Sequence, residues 1–489
     1  MSTVRRLRSD IAPHNNQLSA LIYYVADTDL MVSYTVHGKT EDASGDFNYV
    51  GNTLYNHTKP IEVPVIGLYP QWNNQVTCRF YDESGNLIAT DEISISTEHQ
   101  HYRDDTVFNI TLQEQSAGAI NNVWGNSWMV TSEFNAYDRN GDLRMYFMQP
   151  YSNEMLQAID GYLYIGSHED EAWYGRRFFK IDILGRIVYE FNLSDSDGNR
   201  YANTHEVIND TEGFIYMLAT DNPNRSTNTA KQDASLLKYN NYTGEIVWSR
   251  NYSQQFMGTT IIDNGYTNDV HLNSLSYLPE LNQIVVHSRA CSVTFGVSPD
   301  NGDILWTINS SYNPDFGGIV PHLAWPTDGS LEYENGAHTV FLTTNAAFSE
   351  YTDLAKGKFV LSMLNNKASL DANGNPVVRL MEAPEDKNTW EYTPLDVLFY
   401  AVDLQAQTVS QVAKYSFGED QVTQWMGGVF EYGDNYTLFT NESKTFFVFT
   451  PSGEILIKAN DTLAAGVLSY RARLFSSDEL TCLIATAQR

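Results

Sequence analysis

Three histidines occupy matching positions in three strand-like segments of the chain. His205 lies in NTHEVIND, His271 in NDVHLNSL and His338 in GAHTVFLTT. The alternation of apolar and polar residues in these segments is typical of half-buried strands. A single histidine on a strand is usually a structural residue, but three at matching positions of successive repeats indicate a shared polar site.

Two arginines accompany these histidines. Arg289 ends the strand after His271, in VVHSRA, and Arg471 lies in LSYRARLF as a further candidate for substrate binding. Three neutral imidazoles suit zinc or copper. An arginine would repel a cation, but it binds a tetrahedral oxyanion through paired hydrogen bonds. Arg289 therefore favours an oxyanion site, in which Asn273 and protonated histidines are donors and a neutral histidine is the nucleophile. The metal site stays open as an alternative.

The elements that position these residues are predicted from a repeated turn. Each copy is a short polar turn followed by an alternating strand, and glycine supplies the positive φ of a tight hairpin in all copies but one. The six copies are DRNGDLRMYF from Asp138, DILGRIVYEF from Asp182, NYTGEIVWSR from Asn241, PDNGDILWTI from Pro299, DLQAQTVSQV from Asp403 (without glycine) and TPSGEILIKA from Thr450. More strand-like segments precede most copies, which gives four strands per unit. Such a series predicts an all-β chain with a six-bladed β-propeller, whose first strands line the central axis and carry the histidines.

The two ends of the chain complete this prediction. A strand near 128–134 is expected to join two C-terminal strands, VLSYRARLF and ELTCLIATA, in one blade, which leaves no free sheet edge. Short alternating strands over 14–110 predict a separate N-terminal β-sandwich. We therefore expect a sandwich over residues 1–112 and a propeller over 113–489.

Composition excludes several classes of partner. The chain has 489 residues, 30 of them Lys or Arg and 60 Asp or Glu, and its net charge of −30 disfavours nucleic acid and anionic membranes. Cys78, Cys291 and Cys482 are too far apart for a zinc ribbon or a disulfide framework. No apolar stretch follows the basic N-terminus, so we expect a cytoplasmic protein, or a periplasmic or exported one if the sequence is a mature form.

Several segments together resemble the bacterial arylsulfate sulfotransferases that do not use PAPS. The segments are HLNSLSYLPELNQIVVHSR, GAHTVFLTT, FVLSMLNN, FYAVDLQAQTVSQVAKYSFG and VPVIGLYP, and they span nearly the whole chain in the order of the family. The resemblance implies transfer of a sulfuryl group from an aryl sulfate to a phenol, without a cofactor, by a ping-pong mechanism through a sulfohistidine. It implies small-molecule substrates, and a homodimer is one possible assembly.

The resemblance also implies roles for individual residues. His338 corresponds to the nucleophile, and His205, His271, Asn273 and Arg289 correspond to ligands of the sulfuryl oxygens, with one histidine protonating the leaving phenolate. A fixed array of donors would stabilise the charge that develops on those oxygens.

The sequence departs from the family in three places. Ala337 stands where the family usually has glutamine, and His322, in VPHLAWPTDG, is a rival for the role of His338. Gly427 and Gly428 stand where the family tends to have a small hydroxyl residue. The remaining alternatives are a His-ligated metal site and a propeller that binds a ligand without catalysis.

Overall fold

The structure is a computed structural model of the whole chain. It describes residues 3–40, 45–98, 109–148, 151–167, 177–220, 234–256, 262–263, 266–267, 270–289, 291–309, 323, 334, 336–367, 394–423, 426–441, 443–461 and 469–488. The predicted insertions at 221–233, 309–336 and 367–392 therefore lie almost entirely outside the described residues.

The N-terminal part is a two-sheet sandwich. Its strands are β1 (Val4–Ile11), β2 (Ser19–Ala26), β3 (Met31–Val36), β4 (Phe47–Val50), β5 (Ile61–Ile66), β6 (Asn73–Tyr81) and β7 (Leu87–Ser96). They form one sheet of order β1-β2-β5 and a second of order β4-β3-β6-β7. Tyr24 of the first sheet meets Phe80 of the second edge to face, with ring centroids 4.8 Å apart, because the alternating strands turn their apolar side chains into a shared core.

The rest of the described chain forms antiparallel sheets in series. Their strands are β8 (Ile110–Glu114), β9 (Trp128–Thr131), β10 (Ala136–Tyr137), β11 (Leu143–Met145), β12 (Tyr151–Ile159), β13 (Tyr162–Ser167), β14 (Arg177–Ile181), β15 (Ile187–Phe191), β16 (Ala202–Asn209), β17 (Phe214–Thr220), β18 (Ser235–Asn240), β19 (Ile246–Asn251), β20 (Ile262–Asp263), β21 (Tyr266–Thr267), β22 (Leu272–Leu278), β23 (Gln283–Ser288), β24 (Val293–Val297), β25 (Ile304–Asn309), β26 (His338–Thr343), β27 (Lys358–Asn365), β28 (Asp396–Asp403), β29 (Thr408–Ser416), β30 (Gly428–Tyr432), β31 (Asn435–Thr440), β32 (Thr445–Phe449), β33 (Ile455–Asp461) and β34 (Ala472–Phe475). The short helices are a π-turn at Ile120–Trp124, α1 (Ser253–Phe256) and 3₁₀ turns at Pro279–Leu281, Ala346–Tyr351 and Leu354–Lys356.

These strands pair as propeller-like meanders. The sheet orders are β12-β13-β14-β15, β16-β17-β18-β19, β22-β23-β24-β25, β26-β27-β28-β29, β30-β31-β32-β33-β8 and β11-β10-β9-β34, with β20-β21 as a separate pair. The first strands of these meanders adjoin one another in turn, from β12 through β16, β22, β26 and β30 to β34. The all-β fold class with an N-terminal sandwich is thus confirmed, whereas the number of blades stays a prediction.

The repeated turns lie between the third and fourth strands of the meanders. Gly141, Gly185, Gly244, Gly302 and Gly453 all have positive φ there. In the copy without glycine, Gln407 adopts the left-handed conformation, with φ at 53°. The hairpin geometry therefore persists at a position where a residue with a Cβ makes it less favourable.

The closing sheet differs from the prediction. It combines the three N-terminal strands β9, β10 and β11 with the single C-terminal strand β34. The segment ELTCLIATA, predicted to be a strand, instead lies in the helix α2 (Ser477–Ala487). Ser476 and Glu479 form a capping box at its start, and the buried apolar side chains recur at the helical spacing of three and four residues. The domain boundary at 112/113 stays a prediction, and β8, which crosses it, pairs with β33.

Candidate active site

The three histidines predicted to share a site lie close together at the N-terminal ends of adjacent inner strands. His205 is on β16, His271 immediately precedes β22, and His338 is the first residue of β26. The ring centroids of His205 and His271 are 4.7 Å apart. Tyr470, just before β34, bridges the group, with its ring 5.4 Å from that of His205 and 5.9 Å from that of His338. All three histidines are almost fully buried.

Irregular pairing of the inner strands accompanies each histidine. The register shifts between Asn203 and Val207 on β16, between Leu272 and Ser274 on β22, and from His338 to Phe341 on β26. His271 itself is left-handed, with φ at 48°. Bulges of this kind re-aim side chains at the rim of a sheet, and strained residues concentrate at functional sites. The sequence pattern gave no sign of these shifts.

His338 is held in one orientation by Asn366. The Nδ1 of His338 lies 2.7 Å from Oδ1 of Asn366. The Asn366 amide is oriented in turn, because its Nδ2 donates to the carbonyl oxygens of Thr423 (2.8 Å) and Met426 (3.0 Å). Asn366 Oδ1 must accept, so the proton of a neutral His338 lies on Nδ1. The lone pair is then on Nε2, which accepts a hydrogen bond of 3.3 Å from the Met426 N–H.

Burial and neighbouring cations keep His338 neutral. Desolvation is the main cause that lowers its pKa well below the usual value, and Arg289 is the second. Arg471 and His271 act in the same direction, whereas the hydrogen bond to Asn366 opposes them. A neutral imidazole has a lone pair on one nitrogen, so His338 has the protonation state of a nucleophile near pH 7, and attack requires Nε2 to give up its hydrogen bond from the Met426 N–H.

Arg289 and Asn273 lie within the same group of strands. Arg289 is 4% exposed, its backbone N–H donates to the carbonyl oxygen of His271 at 2.9 Å, and its charge lowers the pKa of His338. Asn273 is fully buried, and its Nδ2 donates to the carbonyl oxygen of Ala337 at 2.8 Å. Asn273 thus fixes the backbone next to His338, and Arg289 holds a positive charge that lowers the pKa of that ring. Their predicted binding of the sulfuryl oxygens stays a prediction.

Arg471 has extensive internal contacts that the sequence did not predict. Its guanidinium forms a fully buried ion pair with Glu206 and donates to the carbonyl oxygens of His205 (3.3 Å) and Asn273 (2.8 Å). Gln157 donates to the other carboxylate oxygen of Glu206 at 2.9 Å. Arg471 therefore ties the inner strands together, and its predicted binding of substrate stays a prediction.

A cavity of about 400 Å³ lies at the other end of the inner strands. Residues from the C-terminal halves of these strands line it, among them Gln157, Asn209, Tyr277, Phe341 and Glu431. Gln157 lines this cavity and also bonds to Glu206, so the Glu206–Arg471 pair lies between the cavity and the histidines. The cavity is therefore separate from the histidine cluster.

The glycines at 427 and 428 leave no room for the small hydroxyl residue expected in the family. A Cβ on Gly427, which has φ at 86°, would lie 2.7 Å from the carbonyl oxygen of Phe439. A Cβ on Gly428 would lie 2.8 Å from Cγ2 of Thr339. The donor that faces Nε2 of His338 here is a backbone amide, that of Met426, which is itself left-handed with φ at 84°.

Three residues that contact the clustered histidines were not predicted from the sequence. Tyr470 and Met426 form no recognisable pattern, since each reaches the site from a loop that precedes a strand. Asn366 is the last residue of FVLSMLNN, one of the segments that resemble the family, so this resemblance could have pointed to it. The rival nucleophile His322 lies outside the described residues.

A metal site would need at least three ligands close together. Within the described ranges, no three His, Cys, Asp or Glu side chains are grouped so that they could hold a metal ion. Cys78, Cys291 and Cys482 form no disulfide. In the part of the chain that the structure describes, no helix has both the length and the apolar character required to cross a membrane.

Comparison with solved structures finds distant likenesses. A putative 6-phosphogluconolactonase from Bacteroides uniformis is 11% identical, with a TM-score of 0.35 over 92% of this chain and 100% of that one. The periplasmic gluconolactonase of Pseudomonas aeruginosa is 11% identical, with a TM-score of 0.31 over 92% of this chain and 99% of that one. A chain of a nidogen/laminin complex is 9% identical, with a TM-score of 0.36 over 72% and 98%. No curated protein sequence matches this chain.

Comparison with known families is decisive. The Arylsulfotransferase (ASST) family matches residues 95–458, and the Arylsulfotransferase Ig-like domain matches residues 11–98. The two matches together cover nearly all of the sandwich and of the sheets that carry the histidines. The chain belongs to the arylsulfotransferase family, and it is an aryl-sulfate sulfotransferase that does not depend on PAPS.

Proposed function

We propose that the enzyme works by a ping-pong mechanism in which Nε2 of His338 carries the sulfuryl group covalently between an aryl sulfate and a phenol. The observation that supports this most is the orientation of His338. Asn366 holds its proton on Nδ1, and burial beside Arg289 keeps the ring neutral. Such an imidazole has its lone pair on Nε2, the nitrogen that accepts a hydrogen bond from the Met426 N–H.

Each half-reaction is a displacement at sulfur. In the first, the Nε2 lone pair attacks, an N–S bond forms, and the S–O bond to the aryl group breaks with its electron pair on the phenolate oxygen. In the second, the oxygen of an acceptor phenol attacks sulfur, its proton passes to the histidine that protonated the leaving phenolate, and the N–S electron pair returns to Nε2. His205, His271, Asn273 and Arg289 are the proposed ligands of the three sulfuryl oxygens, because fixed donors aimed at them stabilise the developing charge.

The proposal is tested by trapping the intermediate. The purified protein is mixed with 4-nitrophenyl sulfate and no acceptor, and its intact mass is measured in the wild type, His338→Ala and His322→Ala. The matched control is His57→Ala, because His57 belongs to the N-terminal sandwich, is partly exposed and is bonded to Asp29. We expect one added sulfuryl group in every protein except His338→Ala.

Other outcomes would change the account. Loss of the adduct only in His322→Ala would show that His322 is the nucleophile, and the reaction would still be sulfuryl transfer through a histidine. Absence of an adduct and of phenol release in the wild type would overturn the mechanism. Metal analysis and ligand-binding measurements would then test the two alternative hypotheses, a His-ligated metal site and a propeller that binds a ligand without catalysis.

A further inference from the structure

The peptide N–H of Met426 faces the nitrogen that is proposed to attack sulfur. It donates a hydrogen bond of 3.3 Å to Nε2 of His338, and a bond of this length is weak and is given up readily. In the sulfated enzyme, sulfur would be bonded to that same Nε2. A donor that already reaches Nε2 therefore lies within reach of the oxygens of a group that this nitrogen carries.

The Met426 residue is anchored on both sides by residues of the site. Its carbonyl oxygen accepts a hydrogen bond of 3.0 Å from Nδ2 of Asn366, whose Oδ1 lies 2.7 Å from Nδ1 of His338. The next residue, Gly427, donates its N–H to the carbonyl oxygen of Tyr470 at 2.8 Å. Asn366 thus positions both the nucleophile and the residue whose N–H faces it, so the two stay together.

The backbone of this segment is held in an unfavourable conformation. Met426 has φ at 84°, which is costly for a residue with a Cβ, and Gly427 follows with φ at 86°. The methionine side chain is also held, because its Sδ accepts a hydrogen bond of 3.4 Å from Nδ2 of Asn441. Strained residues persist only where their surroundings enforce them, and they concentrate at functional sites. A left-handed methionine beside the nucleophile therefore indicates a role for its peptide group.

Side chains at the two positions after Met426 cannot supply a donor to the site. A Cβ on Gly427 would lie 2.7 Å from the carbonyl oxygen of Phe439, and one on Gly428 would lie 2.8 Å from Cγ2 of Thr339. These two positions can therefore offer only backbone groups. A backbone N–H suits the stabilisation of an oxyanion, because it is fixed before the reaction and carries no net charge that would disturb a neutral nucleophile.

We propose that the Met426 N–H releases Nε2 of His338 as sulfur approaches and donates instead to an oxygen of the transferring sulfuryl group. In both half-reactions sulfur moves between Nε2 and an aryl oxygen, and its oxygens carry the negative charge of the transition state. A fixed donor aimed at one of them stabilises that state. No covalent bond of Met426 forms or breaks, and its nitrogen keeps its proton. This inference rests on the proposed function.

The test replaces this N–H by an ester oxygen. The α-hydroxy acid of methionine is introduced at position 426, which removes the donor and keeps the side chain. We expect both half-reactions to slow by roughly 10- to 1000-fold, the range that covers the loss of one oxyanion donor. They are measured as release of 4-nitrophenol from 4-nitrophenyl sulfate without an acceptor, and as transfer from the loaded enzyme to phenol. If the N–H only holds His338 before the reaction, its removal exposes Nε2, so an unchanged or faster first half-reaction would overturn the proposal.

The matched control is the same ester substitution at Val429. The backbone N–H of Val429 belongs to the same segment and donates a buried hydrogen bond of 2.9 Å, but it does so to Oγ1 of Thr339 rather than to His338. We expect the ester at Val429 to lower the free energy of unfolding without a comparable loss of either rate. An equal loss of rate in the control would overturn the assignment of Met426, because the effect would then belong to the shape of the segment.

Hydrogen exchange in the wild type gives an answer even if the ester protein does not fold. The methionine nitrogens are isotopically labelled, and the NMR signal of Met426 is assigned by its absence from the spectrum of Met426→Leu. Exchange of this amide proton with solvent is then measured before and after loading with 4-nitrophenyl sulfate. A proton bonded to a sulfuryl oxygen should stay protected in the loaded enzyme, whereas rapid exchange there would contradict the inference.

These measurements also separate the inference from the proposed function. Formation of the sulfuryl adduct on the wild type tests the proposed function, and its absence would overturn both. An adduct on the wild type, together with unchanged rates in the Met426 ester, would overturn only the role of the Met426 N–H.

Discussion

Replacement of Asn366 by alanine tests how His338 is prepared for attack. The wild-type side chain makes three hydrogen bonds, two buried ones with His338 Nδ1 at 2.7 Å and the carbonyl oxygen of Thr423 at 2.8 Å, and a partly buried one with the carbonyl oxygen of Met426 at 3.0 Å. Each such bond contributes about 0.5–1.5 kcal/mol to folding, so the variant should lose about 1.5–4.5 kcal/mol of stability. The bond to His338 alone bears on catalysis, because it fixes the proton on Nδ1.

The loss of that bond has a separate kinetic consequence. Without Asn366 Oδ1, the His338 ring can rotate or carry its proton on Nε2. Attack then requires a return to the form with the proton on Nδ1 and the lone pair on Nε2. A bond worth about 0.5–1.5 kcal/mol corresponds to a rate that is lower by roughly 2- to 13-fold. The assay is a single turnover with excess enzyme and 4-nitrophenyl sulfate, in which the released phenol is measured in the first seconds.

A neighbouring asparagine provides the control. Asn365 is equally buried at the end of the same strand, and its Oδ1 accepts a 3.4 Å bond from the backbone N–H of Lys367 rather than from His338. Asn365→Ala should reduce stability without a comparable loss of rate at a temperature where both variants are folded. A folded Asn366→Ala protein that reacts as fast as the wild type would refute the tautomer argument.

Three further predictions follow from buried groups. Burial lowers the pKa of His287 to about 3, whereas the unfolded chain has an ordinary value near 6.5, so the unfolded state binds more protons between these values. As the pH decreases below about 6.5, the free energy of unfolding should therefore decrease by about 1.4 kcal/mol per pH unit from this residue. Urea unfolding at pH 7 and pH 5 should show a smaller decrease in His287→Gln than in the wild type. Glu206→Gln leaves the fully buried charge of Arg471 unpaired and should lower the free energy of unfolding by about 3–5 kcal/mol in the same measurement. A decrease below about 1 kcal/mol would show that the pair is solvated. Gly428→Ser should lower the melting temperature rather than raise activity, because its Cβ would lie 2.8 Å from Thr339 Cγ2, and a variant with wild-type melting temperature and faster turnover would contradict this.

The architecture of the inner strands was predictable from local patterns. The glycine turns and the alternating strands are short-range signals, and they predicted the strands that carry His205 and His338 and the strand that begins just after His271. The C-terminal helix was misread because ELTCLIATA is apolar enough for a strand, whereas its capping box and its spacing of leucines favour a helix. Length and cap residues should have decided between the two.

The chemistry of the site depends on long-range contacts that a local pattern cannot contain. The register shifts beside the histidines, the bond from Asn366 to His338 and the ion pair between Glu206 and Arg471 each join segments far apart in the chain. Arg471 shows the limit most clearly. Its type and position predicted an anion ligand, which stays a prediction, but its contacts with Glu206 and two carbonyl groups could not be predicted from the sequence.

The most direct test of the central claim is to locate the sulfuryl group on the chain. The enzyme is loaded with 4-nitrophenyl sulfate, quenched at alkaline pH, digested and mapped by peptide mass spectrometry, and a second sample is treated with a phenol before quenching. The account predicts one modified residue, His338, and loss of the modification when the phenol is added. A stable modification elsewhere, or wild-type turnover with no modified histidine at any time, would contradict it.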